Sequence, residues 1–238
     1  MEIKAILEKA IENYQIQLSQ VDYEKLELYY RLLCEWNEKI NLTAITDPQG
    51  VAVKHFADSL AFYNYIHDVP KGARVIDVGT GAGFPGVVLK IVRPDIELTL
   101  LDSLNKRFLF LRELMTQLGL EADFVQGRAE EFGQNIEYRE CFDFVVSRAV
   151  AQLNILSEYC LPFAKLSGSF VAFKGGSCEE EVQNAGHAIQ SLGGKLKAVH
   201  TFSLPMNGGS RSLVEIEKVQ PTSDKYPRNN GKIKSKPL

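Results

Sequence analysis

The run from Asp77 to Gly86, with the sequence Asp-Val-Gly-Thr-Gly-Ala-Gly-Phe-Pro-Gly, contains the residues whose types and spacing indicate chemistry most directly. It follows the apolar run 73–76 and precedes the apolar stretch 87–92, an order that predicts a strand, a glycine turn and a helix. Glycine adopts positive φ readily and lets a ligand approach backbone N–H groups closely. The turn therefore predicts the site of a nucleotide-like cofactor and an enzyme that uses it.

A dinucleotide is one candidate for this turn. The spacing Gly81-x-Gly83-x-x-Gly86 fits the dinucleotide fingerprint. Asp102 ends the second predicted strand at about the distance along the chain expected of a carboxylate that binds ribose hydroxyls. Taken alone, this pattern favours a nicotinamide-dependent dehydrogenase only weakly.

Other features of the turn favour S-adenosyl-L-methionine. A carboxylate at the end of the first strand, Asp77, would repel a pyrophosphate but suits a ligand with an ammonium and a sulfonium. Read from Gly79, the glycine register meets Phe84 where a dinucleotide site has its third glycine. We therefore predict a methyltransferase. The cofactor-binding candidates in the first two strand ends are Asp77, Gly79, Gly81, Gly83, Phe84 and Asp102.

Two further strand ends supply candidates. After the third strand comes the run 126–132, in which a polar residue is expected to meet an adenine edge while backbone amides read the ring nitrogens, unless the run is only a solvated helix start. The fourth strand ends at Arg148, a permanent cation beside the expected reaction centre, unless it only forms a surface ion pair with Glu130 or Asp77. The Pro-Pro-aromatic tetrad of amino-group methyltransferases does not follow, and no cysteine stands there to act as a cytosine-C5 nucleophile.

The elements that must position these residues follow from the hydrophobic pattern. Residues 1–70 are predicted to be helical, with His55 and Asp58 docking those helices near the cofactor. Strand–helix alternation from residue 73 predicts a doubly wound, mostly parallel sheet. The short loop 205–210 predicts a terminal antiparallel hairpin, as in the class I (Rossmann-like) methyltransferase fold. The seven predicted strands are 73–78, 97–101, 122–126, 142–147, 169–174, 196–203 and 211–219.

Composition and charge limit the classes of function that this sequence can have. The 238 residues have a net charge of −3, yet residues 1–70 carry 11 acidic and 6 basic side chains, whereas residues 205–238 carry 7 basic and 3 acidic ones. Only the basic end suits a phosphate backbone. Its proline-rich part, 221–238, predicts a mobile basic tail after a helical region 1–70 and a methyltransferase domain 71–220. We expect a cytoplasmic monomer without a metal site or a membrane span.

Several motifs together resemble one family, the bacterial small-subunit rRNA guanine-N7 methyltransferases (RsmG, also called GidB). The N-terminal half of the resemblance lies in Trp-Asn-Glu-Lys-Ile-Asn-Leu-Thr at 36–43 and His-Phe-Ala-Asp-Ser-Leu at 55–60. The core contributes the glycine turn, Leu-Asp-Ser-Leu-Asn-Lys-Arg at 101–107, Ser-Arg-Ala at 147–149 and Lys174-Gly175. The tail motif Tyr-Pro-Arg-x-x-Gly at 226–231 is similar to that of Gram-positive members, although no proline follows its glycine.

The resemblance implies methyl transfer from S-adenosyl-L-methionine to guanine N7 in the 530 loop of 16S rRNA (G527), as free RNA or in a small-subunit particle. It also implies cofactor contacts at Gly79, Phe84, Ala129, Glu130 and Arg148, with Asp102 at the ribose. A small-molecule methyltransferase is the main alternative, and a non-catalytic cofactor-binding partner of the ribosome is another.

Guanine N7 has an in-plane lone pair and no proton to lose, so its methylation requires no general base. A protein donor must then bind O6 alone and leave N7 accessible; Arg148 or Lys174, at adjacent strand ends, is expected to do this as the catalytic cation. Basic residues of the surface and of the tail are expected to contact RNA phosphates. They are Lys90, Arg93, Lys106, Arg107, Arg228, Lys232 and Lys234.

Overall fold

One mixed sheet organises residues 2–238, the part of the chain that this computed structural model describes. Its seven strands are, in chain order, β1 (Arg74–Val78), β2 (Glu97–Asp102), β3 (Asp123–Gln126), β4 (Phe142–Arg148), β5 (Ala164–Gly175), β6 (Gly194–Leu204) and β7 (Gly209–Lys218). The spatial order is β3-β2-β1-β4-β5-β7-β6. Strands β1 to β5 are parallel, and β7 is antiparallel to both of its neighbours. The predicted class I methyltransferase sheet and its terminal hairpin are confirmed.

Helices cover both faces of this sheet. A π-helix, Val51–Ala57, continues directly from one short α-helix into the next, and a 3₁₀ turn, Leu161–Phe163, precedes β5. No helix within residues 2–238 has the length and apolar character needed to cross a membrane. The α-helices are α1 (Glu2–Ala10), α2 (Gln20–Ile40), α3 (Pro48–Gly50), α4 (Asp58–Tyr65), α5 (Gly86–Val92), α6 (Asn105–Leu118), α7 (Ala129–Phe132), α8 (Leu153–Cys160), α9 (Glu179–Ser191) and α10 (Asn230–Ser235).

Two hydrophobic cores lie on opposite faces of the sheet, because successive strand residues point to opposite sides. In β4, Val146 joins the core that contains the N-terminal helices, α5 and α6, whereas Val145 joins the core under α8 and α9. Strand β5 divides in the same way between Val171 and Ala172. The shared first core fixes the predicted helical region 1–70 against the sheet.

The N-terminal helices begin at polar caps. Ser19 and Asp22 form a reciprocal capping box at the start of α2. The side chain of Asp47 accepts a hydrogen bond from Gly50 N–H at the start of α3, and Pro48 occupies the first turn. Helix α6 starts after Leu104, without a side-chain cap, and ends at Gly119.

The prediction of a mobile C-terminal tail is wrong, because the segment 221–238 packs against the body of the protein. The Arg139 guanidinium donates to the carbonyl oxygens of Thr222 and Tyr226, and the Arg228 guanidinium forms two hydrogen bonds with the buried carboxylate of Glu158. Ile233, in α10, is completely buried in the second core. Composition alone suggested mobility because it does not reveal these long-range partners.

Candidate functional site

A first cavity, of about 480 Å³, opens at the carboxyl edge of the parallel strands. The turns that follow β1, β2, β3 and β4 all line it, as expected for ligand sites in doubly wound sheets. Side chains from the N-terminal helical region and from the C-terminal segment complete its wall. The cavity therefore brings together parts of the chain that lie far apart in the sequence.

The glycine turn after β1 approaches other groups too closely for side chains. Gly83 has a φ of +96°, and a Cβ placed on it would lie 2.7 Å from the Tyr29 hydroxyl oxygen and 2.8 Å from a Val87 methyl carbon. Gly79 has a φ of +73°, and its Cβ would lie 2.6 Å from a methyl carbon of Val150. Glycine fits both positions because a side chain would strain the backbone at positive φ and would come too close to these neighbouring atoms.

The carboxylate of Asp77 lies beneath this turn and is fully buried. One of its oxygens, Oδ2, accepts hydrogen bonds from Gly86 N–H at 2.9 Å and from the Thr80 hydroxyl at 2.8 Å. Its Oδ1 has no hydrogen-bond partner within residues 2–238. Burial raises the pKa of Asp77 to about 6, although those two donors and the Arg148 charge act in the opposite direction. The carboxylate thus holds the turn and keeps one buried oxygen without a donor.

Asp102, at the end of β2, lines the first cavity with a nearly inaccessible carboxylate. Its Oδ2 accepts from Gly81 N–H at 3.0 Å and from the Arg107 guanidinium at 2.7 Å, and its Oδ1 accepts from Leu104 N–H at 2.9 Å. Arg107, predicted to contact RNA, is therefore half-buried at the rim of the cavity as a partner of Asp102.

Phe84 lies inside a stack of rings that also lines the first cavity. Its ring is stacked between Tyr29, at a centroid distance of 5.0 Å, and His55, at 4.5 Å. The Arg148 guanidinium carbon lies 4.9 Å from the centroid of the same ring. The Tyr29 hydroxyl also donates a short hydrogen bond to the Ala82 carbonyl oxygen, so the N-terminal helices hold the glycine turn directly.

Arg148 is fixed by the N-terminal helical region and not by either partner considered from the sequence. Its guanidinium forms a 3.0 Å ion pair with Asp58 and donates to the Lys54 carbonyl oxygen and to His55 Nδ1, both at 3.2 Å. Burial and the Arg148 charge lower the pKa of His55 to about 3, so its ring is neutral. His55 Nδ1 is then an acceptor, and its Nε2–H donates to the Thr43 hydroxyl.

The expectation that His55 and Asp58 dock the N-terminal helices near the cofactor agrees with these contacts. The π-helix supplies His55 and directly precedes Asp58, and both side chains contact Arg148 at the end of β4. Burial raises the pKa of Asp58, while the positive charges of Arg148 and Arg211 oppose that shift. Asp58 thereby joins residues from α4, β4 and β7 in one charged cluster.

A second cavity, of about 690 Å³, adjoins the first and shares with it His55 and the segment 148–151. Four cationic side chains line this second cavity: Lys54, Arg148, Lys174 and Arg211. The Lys174 ammonium donates to the Ala151 carbonyl oxygen at 2.8 Å and pairs with Glu181 at 2.5 Å. Arg148 and Lys174 thus line the same cavity, whereas Arg148 alone also lines the first one.

The turn after β3 and the C-terminal segment both line the first cavity. Ala129 and Glu130 line the cavity as predicted positions, with the Glu130 carboxylate 3.9 Å from the exposed Arg128 guanidinium. Tyr159 from α8 and Asn230 and Lys234 from α10 line the same region. No group of three or more His, Cys, Asp or Glu side chains suitable for a metal occurs within residues 2–238.

Three of the side chains predicted to contact RNA have partners within the protein. The Lys90 ammonium is buried and donates to the Pro94 and Ile96 carbonyl oxygens, at the edge of the sheet opposite both cavities. Arg93 lies at that edge too and forms two hydrogen bonds with Asp95. Arg228 is committed to Glu158, as described above. Lys106, Lys232 and Lys234 remain exposed on the side of the cavities.

Sequence reasoning missed several residues that line or support the cavities. Tyr29 belongs to a helical stripe that predicts only core packing, Tyr159 lies in no recognisable motif, and Asn230 occupies an unspecified position of the tail motif 226–231. Lys54 and Arg211 are single basic residues whose neighbours are set by the fold. Thr43, by contrast, ends the motif 36–43, so the spacing of that motif could have drawn attention to it.

Comparison with known proteins adds independent support for the fold. A SAM-dependent methyltransferase from Aquifex aeolicus is similar over 75% of this chain and 97% of its own, with a TM-score of 0.54 and 19% identity. TYW2 from M. jannaschii, solved in complex with AdoMet, is similar over 86% of this chain and 80% of its own, with a TM-score of 0.52 and 12% identity. At such identities the likeness shows the fold alone.

Sequence comparison with known proteins identifies close relatives and a family. A ribosomal RNA small subunit methyltransferase G from Desulforamulus reducens is 49% identical over 98% of this chain and 97% of its own length. A protein of the same name from Staphylococcus epidermidis is 48% identical over all of this chain and 99% of its own. The profile of the family described as rRNA small subunit methyltransferase G matches residues 22–232. The chain therefore belongs to the rRNA small subunit methyltransferase G family.

Proposed function

We propose that this protein transfers the methyl group of S-adenosyl-L-methionine to N7 of a guanine in 16S rRNA, the guanine of the 530 loop (G527) that its family resemblance implies. Methylation of small-subunit rRNA follows from family membership. The methyl donor is borne out by that membership together with the class I fold. The atom that accepts the methyl group and the identity of the base are the parts that we propose.

The residues of the first cavity fit this cofactor. Asp77 lies buried directly beneath the turn, so its negative charge favours the ammonium of the methionine moiety through space. The positive φ values of Gly79, Gly81 and Gly83 allow a ligand to approach the turn. The paired oxygens of Asp102 suit a ribose diol, with Ala129 and Glu130 beside the base. Phe84 and Arg148 then form the wall nearest the second cavity.

The buried charge at Asp77 also argues against the dinucleotide alternative. A pyrophosphate on this turn would face a carboxylate whose pKa burial has already raised to about 6. Bringing a second negative charge near it would cost several kcal/mol at the low effective dielectric of a buried site. A cofactor with a positive ammonium instead stabilises the ionised carboxylate.

The second cavity suits the guanine, because its four cations line a space that opens beside the first cavity. When bound, the cofactor supplies an activated methyl group, so the protein has to hold N7 in line with it and to exclude water. A base in this cavity must leave its stack, as bases do in enzymes that modify them. Arg148 or Lys174 would donate to O6, which leaves the N7 lone pair accessible.

The chemistry needs no general base, and the site offers none with a suitable pKa beside Arg148. His55 is neutral, but its Nδ1 already accepts from Arg148 and its Nε2–H faces Thr43. Asp58 is engaged by Arg148 and Arg211. These contacts fix the orientation of the Arg148 guanidinium, and methylation at N7 is the guanine reaction that such a site can support without proton removal.

One observation carries the proposal: Arg148 lies on the wall common to both cavities, at the end of β4, with its orientation set by four contacts. The experiment is incubation of the purified protein with labelled S-adenosyl-L-methionine and either 16S rRNA or small-subunit particles, followed by nucleoside analysis. We expect all label in 7-methylguanosine. Label in any other nucleoside would refute the choice of N7, and labelling of small molecules but of neither RNA form would refute the substrate class.

A further inference from the structure

The C-terminal segment is anchored on both sides of the point where it reaches the first cavity. Before that point, Arg228 N–H and its guanidinium donate to Glu158, whose carboxylate is almost inaccessible to solvent. After it, Ile233 inserts fully buried into the core under α8. A charged group buried with several hydrogen bonds is held firmly, because separating it would leave an unpaired buried charge.

Between these anchors, α10 forms part of the wall of the first cavity. Asn230 and Lys234 line the cavity on one side of α10, one helical turn apart. The Tyr159 hydroxyl, from α8, donates to Asn230 Oδ1 at 2.6 Å, and Tyr159 also lines the cavity. The Asn230 amide nitrogen has two N–H groups, for which no partner is found among residues 2–238.

We propose that α10 is a wall of the S-adenosyl-L-methionine site, in which the amide of Asn230, oriented by Tyr159, and the ammonium of Lys234 contact the bound cofactor. The turn around Ala129 and Glu130 lines the same cavity, so α10 and that turn would contact the same bound cofactor. The tail therefore contributes to cofactor binding itself, whether or not it also contacts RNA. This inference rests on cofactor binding and is independent of which atom of the substrate receives the methyl group.

The tail reaches this position through contacts that the rest of the chain provides. Gln134, between α7 and β4, donates to the Asp224 and Pro227 carbonyl oxygens, and Arg139 holds Tyr226. Asn229 caps α10 by accepting from Lys232 N–H. Since α10 is held at its start by its own cap and by the Tyr159–Asn230 hydrogen bond, the wall is present before any ligand binds.

The test is calorimetry with S-adenosyl-L-homocysteine, the demethylated product, which binds without reacting. The first variant is the chain shortened to residues 1–228, which keeps the Glu158–Arg228 pair and removes α10. Asn230→Ala, Tyr159→Phe and Lys234→Ala probe the wall without removing Ile233. Lys225→Ala is the matched control for Lys234→Ala, because it removes the same charge from an exposed tail position away from the cavity.

We expect the shortened chain to bind the product at least tenfold more weakly than the full chain. Each point substitution should weaken binding about twofold to tenfold, the range that loss of one hydrogen bond produces, and Lys225→Ala should leave it unchanged. A folded 1–228 chain that binds within twofold of the full chain would overturn the proposal. If that chain does not fold, wild-type affinity in both Asn230→Ala and Lys234→Ala would overturn it.

Failure of this inference and failure of the proposed function give different results. If the reaction occurs on another base or atom, nucleoside analysis changes while the product still binds more weakly to the α10 variants. If α10 is not a cofactor wall, all variants bind the product equally while 7-methylguanosine is still formed by the full chain. A positive control for intact folding is the midpoint of thermal unfolding of each variant without ligand.

Discussion

The two edges of the sheet carry similar charged residues, but the side chains at each edge have different partners. At the carboxyl edge, Arg148 lines both cavities, and Asp77 lies buried beneath the glycine turn, where burial raises its pKa to about 6 and one of its oxygens has no donor. At the amino edge, Arg93 donates two hydrogen bonds to Asp95 and holds the pKa of that carboxyl well below its usual range. The charged side chains Arg93 and Asp95 at the amino edge are paired with each other, whereas the carboxyl edge holds the two cavities in which a ligand can bind.

This difference explains why charge alone does not distinguish Lys90 and Arg93 from the basic residues near the cavities. In the sequence they look like Lys106 and Arg107, since both pairs lie in or beside helices that follow strands. Topology separates them: Lys106 and Arg107 start α6 at the carboxyl edge, whereas Lys90 and Arg93 end α5 at the amino edge. A cation at the start of a crossover helix is near the site, and one at its end is far from it.

The largest effect should come from Arg148→Ala, compared with Arg93→Ala at the opposite edge. Loss of a preorganised cation at the reaction centre costs about a hundredfold to a thousandfold in methyl transfer. Arg93→Ala should leave transfer unchanged and lower the free energy of unfolding by less than about 1 kcal/mol, as for a partly exposed ion pair. The measurement is labelled methyl incorporation into rRNA; equal rates for the two variants would remove Arg148 from the mechanism.

The next largest effect, on stability, should come from substituting Gly83 by alanine. The same substitution at Gly119 is the comparison. Gly83→Ala combines a positive φ with contacts of 2.7–2.8 Å, so we expect a loss of about 2–4 kcal/mol in the free energy of unfolding. Gly119→Ala, with φ of +62° and no atom within 4 Å of its Cβ, should cost about 1 kcal/mol. Urea unfolding measures both, and equal losses would show that backbone conformation alone accounts for Gly83.

A smaller effect is the pH dependence of cofactor affinity that the Asp77 carboxyl should produce. Its raised pKa means that the carboxyl is neutral below pH 6 and charged above it, so attraction for the cofactor ammonium is present above pH 6 and lost as the pH falls. We expect affinity for S-adenosyl-L-homocysteine to fall about tenfold between pH 7 and pH 5, as one pKa unit of coupling requires. Adenosine, which lacks the ammonium, should show no such change, and Asp77→Asn should abolish it.

The smallest effect should separate Lys106 from Lys90 in RNA binding. Lys106→Ala should reduce the slope of log affinity against log salt concentration by about 0.7–0.9, the contribution of one phosphate contact. Lys90→Met should leave the slope unchanged, because the Lys90 ammonium is buried at the amino edge. Filter binding to 16S rRNA over a range of salt measures both slopes, and a change for Lys90→Met would mean that RNA reaches that edge.

Local sequence patterns predicted the parts of the site that local geometry determines. The mostly parallel sheet, the terminal hairpin and the glycine turn follow from hydrophobic alternation, loop length and glycine spacing, and all agree with the structure. Asp102, Ala129, Glu130 and Arg148 could be placed at the first cavity because each ends or follows a parallel strand. Carboxyl ends of parallel strands meet at one edge, so position along the chain was sufficient.

The remaining parts depend on tertiary contacts that no local pattern encodes. The π-helix that presents His55 and the seating of α10 over the first cavity arise from packing between distant segments. The partner of Arg148 was sought among neighbouring strand ends, whereas Asp58 comes from the N-terminal helical region. The tail looked mobile because Glu158, which binds Arg228, resembles any other helical glutamate in the sequence.

The most direct test of the central claim replaces the accepting atom itself. 16S rRNA transcribed with 7-deazaguanosine keeps O6, N1 and N2 of every guanine but carries carbon in place of N7. The account predicts that this RNA competes with normal rRNA for the protein about equally and accepts no methyl label. Methyl incorporation into the 7-deaza RNA at the normal rate would contradict the account.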